Sequence, residues 1–107
     1  MSTREAKSQA EIMRAMGNPV RILMVNALSR GDQDTAALCR LARINQSNIS
    51  RHLTVLRKAG IITDRRAGVR VIYHLEAPAV LRALSSATEV LRADSRKRSE
   101  IVTPAHA

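Results

Sequence analysis

Residues 45–58 carry polar and basic side chains beside a stripe of aliphatic ones. Ile49, Leu53 and Leu56 recur at i, i+4 and i+7, which predicts a helix with one buried face, and Asn45 is placed to cap it. The other face carries hydrogen-bond donors and acceptors of graded length, which suit the base edges and phosphates of duplex DNA. The residues of this helix that we predict to contact DNA are Gln46, Ser47, Asn48, Ser50, Arg51, Thr54, Arg57 and Lys58.

The types of these residues predict different roles on DNA. Arg51 has the fork geometry that reads guanine by two hydrogen bonds, and Gln46 has the amide that pairs with adenine. Ser47 and Ser50 lie near the amino end of the helix, where free amides and the helix dipole favour phosphate. Arg57 and Lys58 lie farther along the helix and suit phosphate contacts.

After this helix the apolar period changes from 3.6 to 2. Ile61–Arg66 and Val69–Leu75 are rich in β-branched residues and predict two strands, joined by a turn at Ala67-Gly68. Basic side chains flank the turn and are predicted to grip phosphates or enter a minor groove. Charges on exposed strands also prevent edge-to-edge pairing, which is the alternative explanation. The basic residues of this hairpin are Arg65, Arg66 and Arg70.

The remaining elements are predicted to be helices. Gly17 ends the first helix, Asn18 and Pro19 begin the second, and Asp34 or Thr35 caps a short third one. The predicted helices cover residues 5–16, 19–31, 35–42, 45–59 and 78–92. The predicted inward positions on these helices include Ile12, Met13, Leu23, Leu38, Leu41, Leu81, Leu84 and Leu91.

The element order predicts a mainly α fold with a small β-hairpin, a winged helix-turn-helix of α-α-α-α-β-β-α order. We expect one DNA-binding and dimerisation domain over residues 1–92, followed by a polar, flexible tail over 93–107.

Charge and composition point to duplex DNA as the partner. The chain of 107 residues has 18 basic and 9 acidic residues, a net charge of +9. Residues 46–70 hold six of the basic residues and one acid. This balance favours nucleic acid first and an anionic membrane second. Tyr73 is the one aromatic residue, so the chain has no stacking platform of the kind that readers of single strands use.

Several other classes of protein are disfavoured. The chain has no apolar run of the length that spans a membrane and no apolar signal core. With a single cysteine it cannot form an intrachain disulfide, and we expect a cytoplasmic protein. It shows no glycine-rich phosphate loop, no nucleophile with a paired base and no metal cluster, so we predict that it is not an enzyme.

With these elements in order, the sequence resembles the ArsR/SmtB family of small repressors over residues 12–91. The resemblance implies a homodimer formed by the first and last helices, which occupies a palindromic operator until an inducer releases it. The segments that carry the resemblance are Met16-Gly17-Asn18-Pro19-Val20-Arg21-Ile22-Leu23, the stretch from Asn45 to Ile62, and the stretch from Arg65 to Leu75.

The sequence departs from the metal-sensing members of that family. Cys39 is alone on the third helix, and residues 78–92 contain no His, Cys or Asp. A tight metal site needs three or four convergent ligands. We therefore predict no metal site and no cofactor, and the chain is similar to the metal-independent branch, with an inducer that the sequence does not identify.

Several alternatives stay open. Cys39 is either a small packed thiol or, in a redox-responsive repressor, an oxidant sensor that needs exposure and a resolving partner. His52 and His74 are expected to be hydrogen-bonded structural residues, and His106 falls in the tail. The chain is also compatible with a winged-helix module that binds protein without an operator, or with an architectural DNA binder without sequence preference.

Overall fold

The computed structural model describes the backbone of residues 1–106 and the side chains of residues 1–96. Over this part, the chain forms five helices and a small antiparallel sheet of three strands, which confirms the winged helix-turn-helix architecture. The elements are α1 (Thr3–Met16), α2 (Pro19–Leu28), β1 (Gln33–Asp34), α3 (Thr35–Ala42), α4 (Gln46–Lys58), β2 (Ile62–Ala67), β3 (Arg70–Leu75) and α5 (Val80–His106).

The caps predicted from the sequence are present. Gly17 ends α1, and the Asn18 side chain accepts hydrogen bonds from the amides of Val20 at 2.9 Å and Arg21 at 3.3 Å. Asp34 caps α3 and Asn45 caps α4. Each cap satisfies amides that a helix leaves without an internal partner, so these polar residues set where the helices begin.

The sheet contains a strand that the sequence analysis did not predict. Gln33 and Asp34 form β1, which pairs with β3 so that the strand order is β1-β3-β2. Two residues are too few to show an alternating pattern, and for this reason the strand escaped prediction. It joins the base of the hairpin to the start of α3.

The hairpin turn lies one residue later than predicted. Ala67 pairs with Arg70, so the two loop residues are Gly68 and Val69 rather than Ala67 and Gly68. Gly68 has a φ of +67°, a conformation that side chains disfavour in such a turn.

The core is largely aliphatic, as expected, but one predicted member on α2 and one on α3 are wrong. Leu38 and the α4 stripe are buried, whereas Leu23 is 48% exposed and Leu41 is 40% exposed. Neighbouring residues fill the inward positions on α2. The fully buried large side chains are Met24, Val25, Leu38, Ile49, Leu56, Ile61 and Ile62.

The last helix differs from its prediction at both ends. Pro78 lies in the turn before α5, where its carbonyl accepts the amide of Leu81, and the helix begins at Val80. It continues to His106 instead of ending at Arg92, and the first helix-breaking residue after Arg92 is Pro104. The flexibility of residues 93–107 stays a prediction, and the His106 side chain lies outside the described residues.

The outer helices expose apolar side chains. Ile12 and Met13 on α1 are 41% and 62% exposed, and Val90 and Leu91 on α5 are 68% and 67% exposed. The inward orientation predicted for Ile12, Met13 and Leu91 is therefore not met within one subunit, although Leu81 and Leu84 pack partly against the core. No helix in the described part of the chain is long and apolar enough to cross a bilayer.

The Arg21 guanidinium joins α1, α2 and α4. From α2, its Nε donates to the carbonyl of Ala15 and its Nη2 donates to the carbonyl of Arg14 at 3.3 Å. Its Nη1 lies 3.0 Å from Nδ1 of His52 on α4. The cation thus satisfies carbonyls at the end of α1, where the helix dipole favours positive charge.

We expect Arg21→Lys to lower the free energy of unfolding by about 1–3 kcal/mol, because an ammonium lacks the planar fork that reaches three acceptors. Urea denaturation measures this loss. Arg30→Lys, on an exposed residue just after α2, is the matched control and should change little. An equal loss in both variants would contradict the role assigned to Arg21.

Candidate nucleic-acid interface

The candidate reading helix is anchored by its cap and by its buried stripe. Oδ1 of Asn45 accepts the amide of Asn48 at 2.9 Å and the hydroxyl of Ser47 at 2.8 Å. Ile49 and Leu56 are fully buried and Leu53 is 3% exposed. With one face held in the core, α4 must present the opposite face to solvent.

The solvent face of α4 contains the residues predicted from the sequence. Thr54 is half-buried, and its hydroxyl donates to the carbonyl of Ser50 at 2.9 Å, so its oxygen remains available as an acceptor. The other predicted residues of α4 are exposed: Gln46, Ser47, Asn48, Ser50, Arg51, Arg57 and Lys58. The helix therefore brings this set together on one accessible surface.

The two flanks of α4 face different neighbours. On one flank, Lys58 and Val55 line a cleft with Glu11 and Arg14 of α1. On the other flank, Gln46 lines a groove with the hairpin, and Arg57 lies 3.7 Å from the carboxylate of Asp64 on β2. The exposed face of α4, the candidate reading face, thus lies between α1 and the hairpin.

The three arginines of the hairpin differ in their surroundings. Arg65 contacts Asp32 at 3.2 Å and Arg70 contacts Asp34 at 2.9 Å. Arg66 pairs across the ladder with Val71 and lies on the other face of the hairpin, because successive side chains alternate. Among residues 1–96, whose side chains are described, Arg66 has no acidic partner.

The aspartates opposite these arginines are held in their charged form. The amide of Ala37, followed by the Arg70 guanidinium, lowers the pKa of Asp34 below its usual 3.8. A hydrogen bond from His74, followed by one from Arg65, lowers the pKa of Asp32. The Asp32–His74 contact is 2.8 Å, which agrees with the structural role expected of His74. Sequence reasoning missed both aspartates as arginine partners, because 33 and 36 residues separate the pairs.

His52 is packed and hydrogen-bonded, as expected. A guanidinium only donates, so Nδ1 of His52 accepts and the ring proton resides on Nε2. Burial, followed by the charges of Arg21 and Arg51, lowers the pKa of His52 below 6.5. The ring is therefore held neutral beside the reading face.

The structure describes the surroundings of Cys39 and of the side chains that could bind a metal ion. Cys39 is a free thiol of intermediate exposure that packs against the core. Within the described residues, no group of three or more His, Cys, Asp or Glu side chains is arranged to hold a metal ion.

Comparison with known proteins relates the chain to bacterial regulators. Residues 18–64 match the family described as "Bacterial regulatory protein, arsR family". An HTH-type transcriptional regulator of Mycobacterium tuberculosis, Rv0081, is 34% identical over 86 residues, which cover 79% of this chain and 75% of that protein. The nodulation protein NolR of Rhizobium meliloti is 29% identical over 91 residues, which cover 85% and 75% of the two chains.

Solved structures extend the similarity to the whole fold. The crystal structure of M. tuberculosis Rv0081 superposes with a TM-score of 0.78 at 32% identity, and covers 91% of this chain and 98% of that one. NolR from Sinorhizobium fredii gives a TM-score of 0.76 at 28% identity, with coverages of 84% and 93%. The similarity therefore includes α1 and the start of α5 as well as the matched central segment.

The pKa of His52 predicts a loss of stability in weak acid. Because folding lowers this pKa, the unfolded chain binds the proton more readily. The stabilisation is complete above pH 6.5 and decreases as the pH falls from 6.5 towards the lower folded value. Urea denaturation between pH 7.5 and 5 should show a larger loss for the wild type than for His52→Asn, whose amide oxygen accepts from Arg21 without titrating. Parallel pH curves for the two proteins would refute this assignment.

Proposed function

The chain belongs to the ArsR family of bacterial regulatory proteins, and from that premise we propose that it is a homodimeric, sequence-specific repressor of transcription. The observation that carries the proposal is α4, which is anchored by three buried aliphatic residues and exposes a continuous row of donors and acceptors. A helix with these two faces fits the major groove of duplex DNA. The partner is duplex DNA, and no catalytic step belongs to the proposal.

Base reading is assigned to the exposed polar side chains of α4. Arg51 pairs with guanine by two hydrogen bonds, and Gln46 pairs with adenine. Ser47 and Ser50 contact phosphate or base edges near the amino end of the helix, and Asn48 and Thr54 supply further polar contacts. Phosphate contacts come from the cations of the last turn and the hairpin: Arg57, Lys58, Arg65, Arg66 and Arg70.

The exposed apolar side chains of α1 and α5 support a dimer. Met13 and Leu91 are each more than three-fifths exposed in the single subunit, and a second copy would bury them. Twofold symmetry then presents two copies of α4 to successive major grooves, which requires a palindromic operator with half-sites about one helical turn apart. Dimerisation and DNA reading are thus parts of one proposal.

The proposal does not include a metal ion as the signal that releases the dimer from DNA. Cys39 is the only cysteine of the chain. No thiol therefore lies beside it within the subunit to complete a soft-metal site. Release by a small inducer, action in the cytoplasm and the boundary of the DNA-binding domain at residue 92 remain predictions.

The decisive experiment is to select and sequence the duplexes that the purified protein binds, and then to titrate salt on the selected and a random duplex. Phosphate contacts give a steep dependence on salt, and base contacts give a difference between the two duplexes. A protein-docking module would bind neither duplex. An architectural binder would bind both equally.

Arg51 tests the assignment of the reading helix. We expect Arg51→Ala to lose about 1–3 kcal/mol of operator affinity for each bidentate pair removed. Arg51→Lys keeps the charge but not the fork, so it should retain random-duplex binding and its salt dependence while losing base preference. Competition titrations measure both quantities. Full operator preference in the lysine variant would remove Arg51 from the reading set.

Leu91 tests the dimer. Leu91→Arg removes about 1.5–3 kcal/mol of burial from each copy, so the dimer dissociation constant should rise at least about a hundredfold. Analytical ultracentrifugation measures this change. Val69→Arg makes the same chemical change at the hairpin tip, where Val69 is 97% exposed, and should leave the dimer intact. A dimer that survives Leu91→Arg unchanged would place the interface elsewhere.

A further inference from the structure

The carboxylate of Asp34 serves two elements at once. Its Oδ1 accepts the amide of Ala37 at 2.8 Å and so caps α3, the first helix of the helix-turn-helix. Its Oδ2 accepts from Nε of Arg70 at 3.0 Å and lies 2.9 Å from Nη2. Asp34 also belongs to β1 and pairs with Ile72 on β3. One side chain therefore ties the helix-turn-helix to the hairpin strand that carries Arg70.

We infer that Asp34 is a positioning residue that holds the Arg70 guanidinium in the free protein and competes with DNA phosphate for it. The inference rests on the proposed function, because it concerns how the hairpin engages duplex DNA. It assigns to Asp34 a restraint on DNA affinity in addition to its capping role.

The geometry explains why the two anions compete. The side chain of Arg70 is 61% exposed, so phosphate can approach it, whereas that of Asp34 is 21% exposed and is fixed by its bond to the α3 amide. Carboxylate and phosphate both bind the same guanidinium donors. When Arg70 turns to phosphate, Asp34 is left beside a second anion without its cation, which offsets part of the gain.

The other charged residues near the hairpin differ in their contacts from the pair formed by Asp34 and Arg70. Asp32 contacts Arg65 and His74 but caps no helix, so its carboxylate is less constrained than that of Asp34. Arg66 has no acidic partner among residues 1–96 and binds phosphate without such a competitor. Asp34 and Arg70 thus form the pair in which a helix cap of the helix-turn-helix also holds an arginine of the hairpin.

Asp34→Asn separates the restraint from the cap. Asparagine caps helices as well as aspartate does, so α3 is preserved while the charge is removed. In salt titrations on a random duplex, we expect the affinity to rise and the slope of log K against log salt to steepen by at most about 0.9 for each hairpin that engages DNA. Asp34→Ser also caps α3 without a charge and should steepen the slope by the same amount. Circular dichroism confirms that both variants are folded.

Two controls test whether the steeper slope comes from the release of Arg70. Glu5→Gln makes the same change in net charge on exposed α1, far from the hairpin, and should steepen the slope less than Asp34→Asn does. The double variant Asp34→Asn with Arg70→Ala should match Arg70→Ala alone, because the effect acts through Arg70.

The outcomes separate the two hypotheses. If the wild type binds duplex DNA and neither neutral variant steepens the slope, the inference about Asp34 is wrong and the proposed function stands. A steepening of the slope that persists without Arg70, or that Glu5→Gln reproduces in full, also overturns the inference about Asp34. If the wild type binds no duplex at any salt concentration, the proposed function fails and the inference falls with it.

Discussion

The hydrogen bonds of the Arg21 guanidinium link α4 to α1 and α2, in addition to the buried stripe that anchors α4 in the core. Arg21 donates to the terminal carbonyls of α1 and to His52 on α4, and it follows directly from the Asn18-Pro19 start of α2. Because α1 exposes apolar side chains for a partner, the orientation of α4 relative to α1 also sets the separation of two reading helices in a dimer.

The distribution of charge gives a second constraint. The net charge of +9 attracts a polyanion, but three of the predicted phosphate contacts already have carboxylate partners within the chain: Arg57, Arg65 and Arg70. These exposed pairs contribute little to stability. In the proposed function, they reduce the number of cations that can meet DNA without a competing carboxylate. The same arginines thus take part in contacts within the chain and in the proposed contacts with DNA.

Much of the fold was predictable because local rules govern it. The caps at Asn18, Asp34 and Asn45 and the stripe on α4 follow from residue type and spacing alone. The failures arise where tertiary contact decides. The strand β1 exists only because β3 pairs with it, and Leu41 is exposed because Leu38 fills the core position. For the site, the exposed face of α4 was predictable, whereas the partners of Arg65 and Arg70 depend on contacts across more than 30 residues.

The same contacts restrict how a signal can release such a regulator. An inducer that acts on the surface of α1 and α5 must change the placement of α4, and the described structure offers a direct physical link through the carbonyls of α1, Arg21 and His52. Since Arg21 bonds to the end of α1 and to the His52 ring together, moving α1 breaks its bonds to the carbonyls of Ala15 and Arg14. A shift of α1 would therefore act first on Arg21 and through it on His52 of α4, which is a contact path of the kind that coupling a distant site to DNA requires.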